Sequence, residues 1–147
     1  MYESNLRLNI KATGLRTYPD ASVYCGAVVR DEEDASGETA INPIVLFEVL
    51  SKTTEAYDRG EKALNYRQIE SLRAYILVSQ REASVEMFER QSDGPWVLRE
   101  AHGKEAVLTI AAISVNLPLA DIYDRIDFSD AQQAEEPSIS TVDRFSR

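Results

Sequence analysis

The chain has 147 residues, 44% of them hydrophobic, which is enough to form the core of one domain without disulfides or structural metals. No stretch approaches the roughly 20 apolar residues that span a bilayer, and Met1 to Asn9 lacks the pattern of a secretory signal. The single cysteine, Cys25, excludes an internal disulfide, so a cytoplasmic location is predicted. The formal net charge of −9 disfavours broad phosphate binding, although a local basic face can lie on an acidic protein.

The first third of the chain predicts short strands separated by a charged loop. Alternating apolar and polar residues predict a strand at Leu6–Ile10, and a second strand is predicted at Asp20–Val29. The run Asp31–Thr39 is acidic and contains a glycine, so it predicts a loop. Ile44–Leu50 is almost entirely apolar, as expected of a central strand that is buried on both faces.

The middle of the chain predicts a strand–helix–strand unit. A helix is expected from Glu55 to Ser71, because several N-cap candidates precede it and its composition favours a helix. Ala56, Leu64 and Ile69 are expected to supply part of its apolar side. The strand Ala74–Val78 follows, so this strand and the preceding one should be parallel and joined by a right-handed crossover.

The rest of the chain predicts an antiparallel region and a polar tail. Expected elements are a hairpin around Ser92–Pro95, a strand at Val107–Ile110 and a short helix at Leu119–Tyr123. From Ser129 onward the chain is polar and rich in serine and glutamine, which is typical of a poorly ordered segment. The predicted organisation is therefore one domain over residues 1–128 and a disordered tail over residues 129–147.

Three residues form a candidate metal site when the predicted strands are placed side by side. Asp20 opens one strand, Glu48 lies inside the most apolar strand, and Lys62 lies on the helix that follows. Two carboxylates and water molecules suit Mg²⁺ or Mn²⁺, which would polarise a phosphodiester and activate an attacking water. The lysine would orient that water or stabilise the developing negative charge. This pattern predicts metal-dependent hydrolysis of a phosphodiester.

Each of these residues also has a simpler structural explanation. Glu48 is costly in a central strand unless it is paired, so a salt bridge to Lys62 or Arg59, or exposure at the strand end, explains it as well as a metal does. Pro-Asp pairs commonly begin turns, which explains Asp20. Lys62 forms an ordinary surface i,i+4 pair with Asp58 unless the helix turns Asp58, Lys62 and Tyr66, which share one face, toward the cleft.

Other chemistries have little support in the sequence. His102 is the sole histidine and is expected in a solvated loop beside Gly103, so a zinc site is not supported. Cys25 is expected to be a small buried residue inside a strand. The sequence contains no glycine-rich phosphate loop.

An ordered set of motifs resembles a known family. The chain from about Thr17 to about Asp127 is similar to the Uma family of bacterial proteins, described as putative restriction endonucleases within the PD-(D/E)XK nuclease-like superfamily. The residues that carry this resemblance are Tyr18-Pro19-Asp20, Phe47-Glu48-Val49-Leu50-Ser51, Tyr57-Asp58-Arg59-Gly60-Glu61-Lys62 and Tyr66.

The resemblance implies a restriction-endonuclease-like α/β fold with a mixed central sheet flanked by helices. It implies that Asp20 and Glu48 bind the metal, and that Lys62 replaces the lysine that the superfamily places where this chain has Leu50. Family members usually begin with a further helical segment and strand, whereas about sixteen residues precede Thr17 here, so a shortened N-terminus is expected. A second copy could cover the face left open, which predicts a homodimer.

Two main hypotheses follow. The first is a metal-dependent endonuclease with DNA as its partner, in which Asp58 and Tyr66 support the three site residues. The alternative is a non-catalytic dimerisation or protein-interaction module that keeps the fold. A third hypothesis, a nucleic-acid binder that does not cut, has the least support because the sequence shows no basic patch. Arginines gathered around the carboxylates would favour the nuclease and scattered ones the module; the arginines in question are Arg59, Arg67, Arg73, Arg81 and Arg99.

Overall fold

The structure is a computed structural model that describes residues 1–3 and 5–129. The predicted disordered tail therefore lies, from residue 130 onward, outside the described residues. The elements in chain order are β1 (Tyr2–Glu3), β2 (Arg7–Ile10), β3 (Leu15–Thr17), β4 (Ala21–Val23), β5 (Thr39–Ala40), β6 (Val45–Val49), α1 (Glu55–Arg59), α2 (Glu61–Tyr66), β7 (Ala74–Val78), β8 (Ser84–Arg90), β9 (Trp96–His102), β10 (Val107–Ile110), a 3-10 turn (Ala111–Ile113), β11 (Val115–Pro118) and α3 (Leu119–Ile122).

The predicted mixed central sheet is confirmed. Its strand order is β1-β4-β6-β7-β8-β9, and β6 pairs antiparallel with β4 and parallel with β7, where Glu48 lies opposite Leu77. The parallel pairing of β6 and β7 is the one predicted from the strand–helix–strand pattern. β8 and β9 continue the sheet as an antiparallel hairpin. The mixed α/β architecture with β6 near its centre agrees with the fold implied by the family resemblance.

Alternation along the central strands divides the core into two clusters. On one face, Leu46 and Leu77 pack with α2 and with β2, which belongs to a small three-stranded sheet of β3, β2 and β5. On the other face, Val45 and Ile76 pack with the β10–β11 hairpin and with α3. Both faces of the sheet are thus covered around β6 and β7, and the face that carries α1 and α2 also carries Glu48.

The predicted helix from Glu55 to Ser71 is wrong in length and partly wrong in its buried side. Gly60, with φ −101° and ψ −94°, separates α1 from α2, and the second helix ends at Tyr66. Glycine favours such a break because it has the lowest helix propensity apart from proline. The inward face follows the i, i+4, i+8 series through Asp58, so Ala56 and Leu64 are exposed, whereas Ile69 is buried beyond the helix.

The predicted strand Asp20–Val29 is also shorter than expected. It ends at Val23, and Gly26 adopts φ +74°, a left-handed conformation that only glycine reaches without strain. The chain leaves the sheet there, so Cys25 is an exposed loop residue and not the small buried residue predicted from its neighbours.

The acidic loop is more ordered than its composition suggests. Asp31 is only 2% exposed, and its carboxylate accepts hydrogen bonds from Asn9 Nδ2 at 2.7 Å and from Lys11 Nζ at 2.5 Å. The hydrogen bond from Lys11, followed by that from Asn9, lowers the pKa of Asp31 to about 2. Within the described residues, no helix is long and apolar enough to cross a membrane.

Candidate active site

Glu48 lies at the centre of a buried polar cluster on the helix-covered face of the sheet. Its carboxylate is 4% exposed, and its Oε1 accepts a hydrogen bond from Tyr66 OH at 2.7 Å and lies 2.7 Å from Lys62 Nζ. An isolated carboxylate in this position would carry a large dehydration penalty, which the tyrosine and the ammonium offset. The salt bridge to Lys62 that the sequence offered as the simple explanation for Glu48 is present.

Lys62 is held by carboxylates from two elements. Its ammonium is 2.7 Å from Glu48 Oε1 and 3.4 Å from Asp58 Oδ1, and both Asp58 and Lys62 are buried. The pair is therefore not the solvent-exposed i,i+4 pair of the simpler explanation. Asp58, Lys62 and Tyr66 do share one helical face turned toward the sheet, which is the condition that a functional Lys62 required.

Tyr75 on β7 contacts the cluster from the sheet side, and its role was not predicted from the sequence. Its hydroxyl donates to the backbone oxygen of Asp58 at 3.1 Å, and its ring packs edge-on against Tyr66 with centroids 4.9 Å apart. The signal that could have identified Tyr75 is its position on the same face of the sheet as Glu48. Register in β6 and β7 was needed to recognise it.

Asp20 approaches the same point from β4. It precedes Ala21, which pairs with Phe47, so the antiparallel register continued by one residue places Asp20 opposite Glu48. The Asp20 side chain is exposed, and its Oδ2 accepts a hydrogen bond from the backbone N–H of Val49 at 2.7 Å. This contact fixes the carboxylate beside β6. Asp20, the residue before β4, therefore lies beside Glu48 of β6, and Glu48 in turn contacts Lys62 of α2.

Burial and charge control protonation in the cluster. Burial, with a smaller contribution from the negative charge of Asp20, raises the pKa of Glu48 to about 7. The hydrogen bond and charge of Lys62 and the hydrogen bond of Tyr66 oppose this rise. Burial acts to lower the pKa of Lys62, but the hydrogen bond and charge of Glu48 and the charge of Asp58 outweigh it, so the pKa rises. Lys62 is thus an ammonium at neutral pH. The pKa of Tyr66 is raised by burial and by Glu48, so Tyr66 remains a hydrogen-bond donor.

The donor set fits a hard divalent cation at the outer edge of the cluster. Asp20 and Glu48 offer carboxylate oxygens, which Mg²⁺ and Mn²⁺ accept together with water. Among residues 1–3 and 5–129, no three His, Cys, Asp or Glu side chains converge as a metal-binding group. A cation would therefore be held by these two carboxylates and by water, and the Lys62 ammonium would share Glu48 with it.

The arginines do not gather around the carboxylates. Arg59 pairs with Glu55 and Glu86, and Arg99 pairs with Glu89. The guanidinium of Arg67 lies 5.1 Å from the ring centroid of Phe88. Arg73 donates to the backbone oxygens of Glu70 and Leu72, and Arg81 lines a groove with Arg59 and His102 that Asp20 and Glu48 do not line. By the criterion set from the sequence, this distribution favours the interaction module.

His102 differs from its expected loop position, although it is exposed as predicted. It is the last residue of β9, and its Nδ1 lies 3.0 Å from Ser84 Oγ on β8. The ring nitrogen Nε2 is 3.7 Å from Glu100, too far for a good hydrogen bond. Ser84 and His102 are directly paired across the two strands, so the contact is a cross-strand hydrogen bond of the hairpin.

Comparison with known proteins gives consistent matches. The family model Uma2, described as "Putative restriction endonuclease", matches residues 1–120. Two uncharacterized proteins of Synechocystis sp. are 32% identical over 126 residues and 30% identical over 115 residues, which is 85% and 78% of this chain. A crystal structure described as a putative nuclease belonging to DUF820, from Anabaena variabilis, has a TM-score of 0.62 and 18% identity over 80% of this chain.

This chain spans part of the length of each of these three proteins. This chain covers 63% and 64% of the two Synechocystis proteins and 64% of the Anabaena protein, a little under two thirds of each. The structural likeness, at 18% identity, shows that the fold is shared.

Proposed function

This chain belongs to the Uma2 family, described as "Putative restriction endonuclease", and from this premise we propose that it is a metal-dependent endonuclease that hydrolyses phosphodiester bonds in DNA. The observation that carries the proposal is the convergence of Asp20, Glu48 and Lys62 from three separate elements. A buried carboxylate and a buried ammonium are expensive to maintain for stability alone, since well-packed apolar residues serve at least as well. Their presence together beside an exposed carboxylate suits a catalytic site.

Asp20 and Glu48 would hold the cation, which we propose to be Mg²⁺ or Mn²⁺. The family resemblance implies a divalent metal, and two carboxylates together with water suit such a hard cation. When bound, the cation would supply a Lewis acid for the phosphate and lower the pKa of an attacking water. The hydrogen bond from Val49 N–H to Asp20 Oδ2 orients one carboxylate, and the bond from Tyr66 to Glu48 Oε1 orients the other.

Lys62 would stabilise the negative charge that develops on the phosphate. Its ammonium keeps its proton because Glu48 and Asp58 raise its pKa. Asp58 supports this role by holding the ammonium from the helix side, at 3.4 Å, and Tyr75 fixes the backbone of Asp58. Asp58, Tyr66 and Tyr75 would thus act as positioning residues, because they act through Glu48 and Lys62.

A cleavage assay with matched variants tests this proposal. Supercoiled plasmid and labelled oligonucleotides are incubated with the protein and Mg²⁺ or Mn²⁺. Asp20→Asn and Glu48→Gln should lower the cleavage rate by at least ~100-fold, the scale expected when an oriented charge at the reacting centre is lost. Glu89→Gln is the control, because that carboxylate pairs with Arg99 on the hairpin. Metal-independent cleavage, or equal rates for wild type and Glu48→Gln, would contradict the proposal.

The second candidate is the non-catalytic dimerisation or protein-interaction module. The scattered arginines favour it, as do exposed apolar side chains on β9, β10 and β11, which include Leu98 at 48% and Val107 at 52% exposure. A homodimer in the cytoplasm is part of this proposal. Sedimentation analysis distinguishes the candidates when read with the cleavage assay: a stable dimer without cleavage under any metal condition favours the module.

A further inference from the structure

Among the described residues, several of the cations that could hold a polyanionic substrate are engaged within the protein. The chain carries a net charge of −9, and Arg59 and Arg99 are paired with glutamates. Arg90 donates to the backbone oxygens of Arg67, Ile69 and Glu70, so it serves the fold. Because affinity for a duplex depends mainly on Lys and Arg contacts with phosphates, another source of binding free energy is required here.

Tyr57 offers such a source at the mouth of the site. It lies on α1 beside Asp58, its side chain is 40% exposed, and its ring centroid is 6.0 Å from Lys62 Nζ. Tyr66 lies at a similar distance from the same ammonium, 5.7 Å, but is fully buried. The ammonium is therefore near two tyrosine rings, one inside the core and one open to solvent.

We propose that the exposed ring of Tyr57 stacks on a base of the substrate, so that the site takes single-stranded or unpaired nucleic acid in preference to continuous duplex. This inference rests on the proposed nuclease function. The Lys62 ammonium and the centroid of the Tyr57 ring are 6.0 Å apart, so a phosphate beside the ammonium and a base stacked on the ring would belong to the same nucleotide or to adjacent ones. Stacking on an aromatic ring is the usual binding mode of proteins that hold single strands.

Pairing explains why a duplex would be disfavoured. Inside a continuous helix the faces of each base are covered by its neighbours, so a protein ring can stack only on a base that is unpaired, terminal or extruded. Extruding a base costs free energy, which a single strand does not have to supply. Because several of the described cations are engaged within the protein, a stacked base would add more to the binding of an unpaired strand than to that of a duplex.

A structural role for Tyr57 makes different predictions. If the ring only shields Lys62 through a cation–π contact, its removal would lower the melting temperature and leave the preference between single strand and duplex unchanged. If the ring stacks on a base, its removal would leave the melting temperature nearly unchanged, because the ring is partly exposed, and would weaken binding of the single strand alone.

The test is equilibrium binding of a fluorescent oligonucleotide, as a single strand and as a duplex, measured by anisotropy. Ca²⁺ in place of Mg²⁺, and EDTA in a parallel series, separate binding from cleavage. The variants are Tyr57→Phe, which keeps the ring, Tyr57→Ala, and Leu64→Ala as the control, because Leu64 is 60% exposed on the opposite side of α2 from Lys62. Circular dichroism melting is recorded for each variant.

The expected result is tighter binding of the single strand than of the duplex by wild type, Tyr57→Phe and Leu64→Ala. Tyr57→Ala should bind the single strand about 5- to 150-fold more weakly, the range that corresponds to losing one base–aromatic stack. Equal effects of Tyr57→Ala and Leu64→Ala, preference for duplex, or no binding of either form would overturn the inference. Since cleavage is not measured here, tyrosine-dependent binding without cleavage in the plasmid assay would refute the nuclease proposal alone.

Discussion

Replacing Lys62 by methionine tests whether the polar cluster is the buried charge network that the distances indicate. Lys62 Nζ lies 2.7 Å from Glu48 Oε1 and 3.4 Å from Asp58 Oδ1. With an effective dielectric constant of about 20, these two contacts correspond to Coulomb energies of ~6 and ~5 kcal/mol, most of which the dehydration of the three groups offsets. Methionine keeps most of the side-chain volume but leaves two buried carboxylates without a counter-charge. We expect the free energy of unfolding at pH 8 to fall by about 3–5 kcal/mol.

The dependence of this loss on pH follows from Glu48. Its pKa in the folded protein, about 7, is above its ordinary value, so the folded state binds more protons and stability from this group decreases as pH rises from about 4.5 through 7. Loss of Lys62 raises that pKa further, and each unit adds about 1.4 kcal/mol of destabilisation at higher pH. At pH 5 Glu48 is protonated in both proteins, so Lys62→Met should cost less stability there than at pH 8.

Urea unfolding of four proteins measures this coupling: wild type, Lys62→Met, Glu48→Gln and the double variant. The double variant should recover part of the stability lost by Lys62→Met, because it removes the unpaired charge together with its partner. A loss below about 1 kcal/mol that is the same at pH 5 and pH 8 would refute the reasoning. It would mean that the pair is solvated and not the buried network described.

Three further predictions concern other parts of the molecule. Tyr66→Phe should leave the melting temperature within a few degrees of wild type and lower metal-dependent cleavage about 10- to 100-fold, because Glu48 loses an orienting hydrogen bond. Steady-state cleavage kinetics measure this loss, and an unchanged kcat would contradict a positioning role for Tyr66. Because its pKa of about 2 lies below the ordinary value, Asp31 stabilises the fold above pH 3.8, and this stabilisation is lost as the pH falls toward 2. Asp31→Asn should remove it, so the stability of the variant, followed by circular dichroism during acid titration, should depend less on pH than that of wild type. Ile76→Ala, in the fully buried centre of β7, should cost about 2–5 kcal/mol in urea unfolding, and a cost under 1 kcal/mol would contradict its place in the core.

Hydrophobic patterning made the sheet predictable. A strand buried on both faces, such as β6, has a continuous apolar run, and a strand such as β8 alternates apolar and polar residues, so both patterns predict strands. The turn residues at Ser92–Pro95 predict the hairpin of β8 and β9. Short strands were missed or misjudged, because two or three residues carry no period: β1, β3 and β5 were not predicted. The early end of β4 depends on the left-handed backbone of Gly26, which composition does not encode.

The residues of the candidate site were visible in the sequence, but their burial was not. Glu48 within an apolar strand and the i, i+4, i+8 series of Asp58, Lys62 and Tyr66 were visible in the sequence. Which face of α1 and α2 turns inward depends on the break at Gly60 and on the tyrosine contacts below it, and neither follows from local propensity. The burial of Asp58 and Lys62, which distinguishes a buried network from a surface ion pair, therefore required the structure.

The most direct test of the central claim is calorimetric titration of Mn²⁺ or Mg²⁺ into the purified protein. Asp20→Ala and Glu48→Ala are titrated alongside, with Glu89→Gln as the control carboxylate, and circular dichroism confirms that each variant is folded. A carboxylate metal site predicts saturable binding near one equivalent in wild type and in the control, abolished by either alanine substitution. A folded wild-type protein that binds no divalent cation would contradict metal-dependent catalysis by this chain and favour the interaction module.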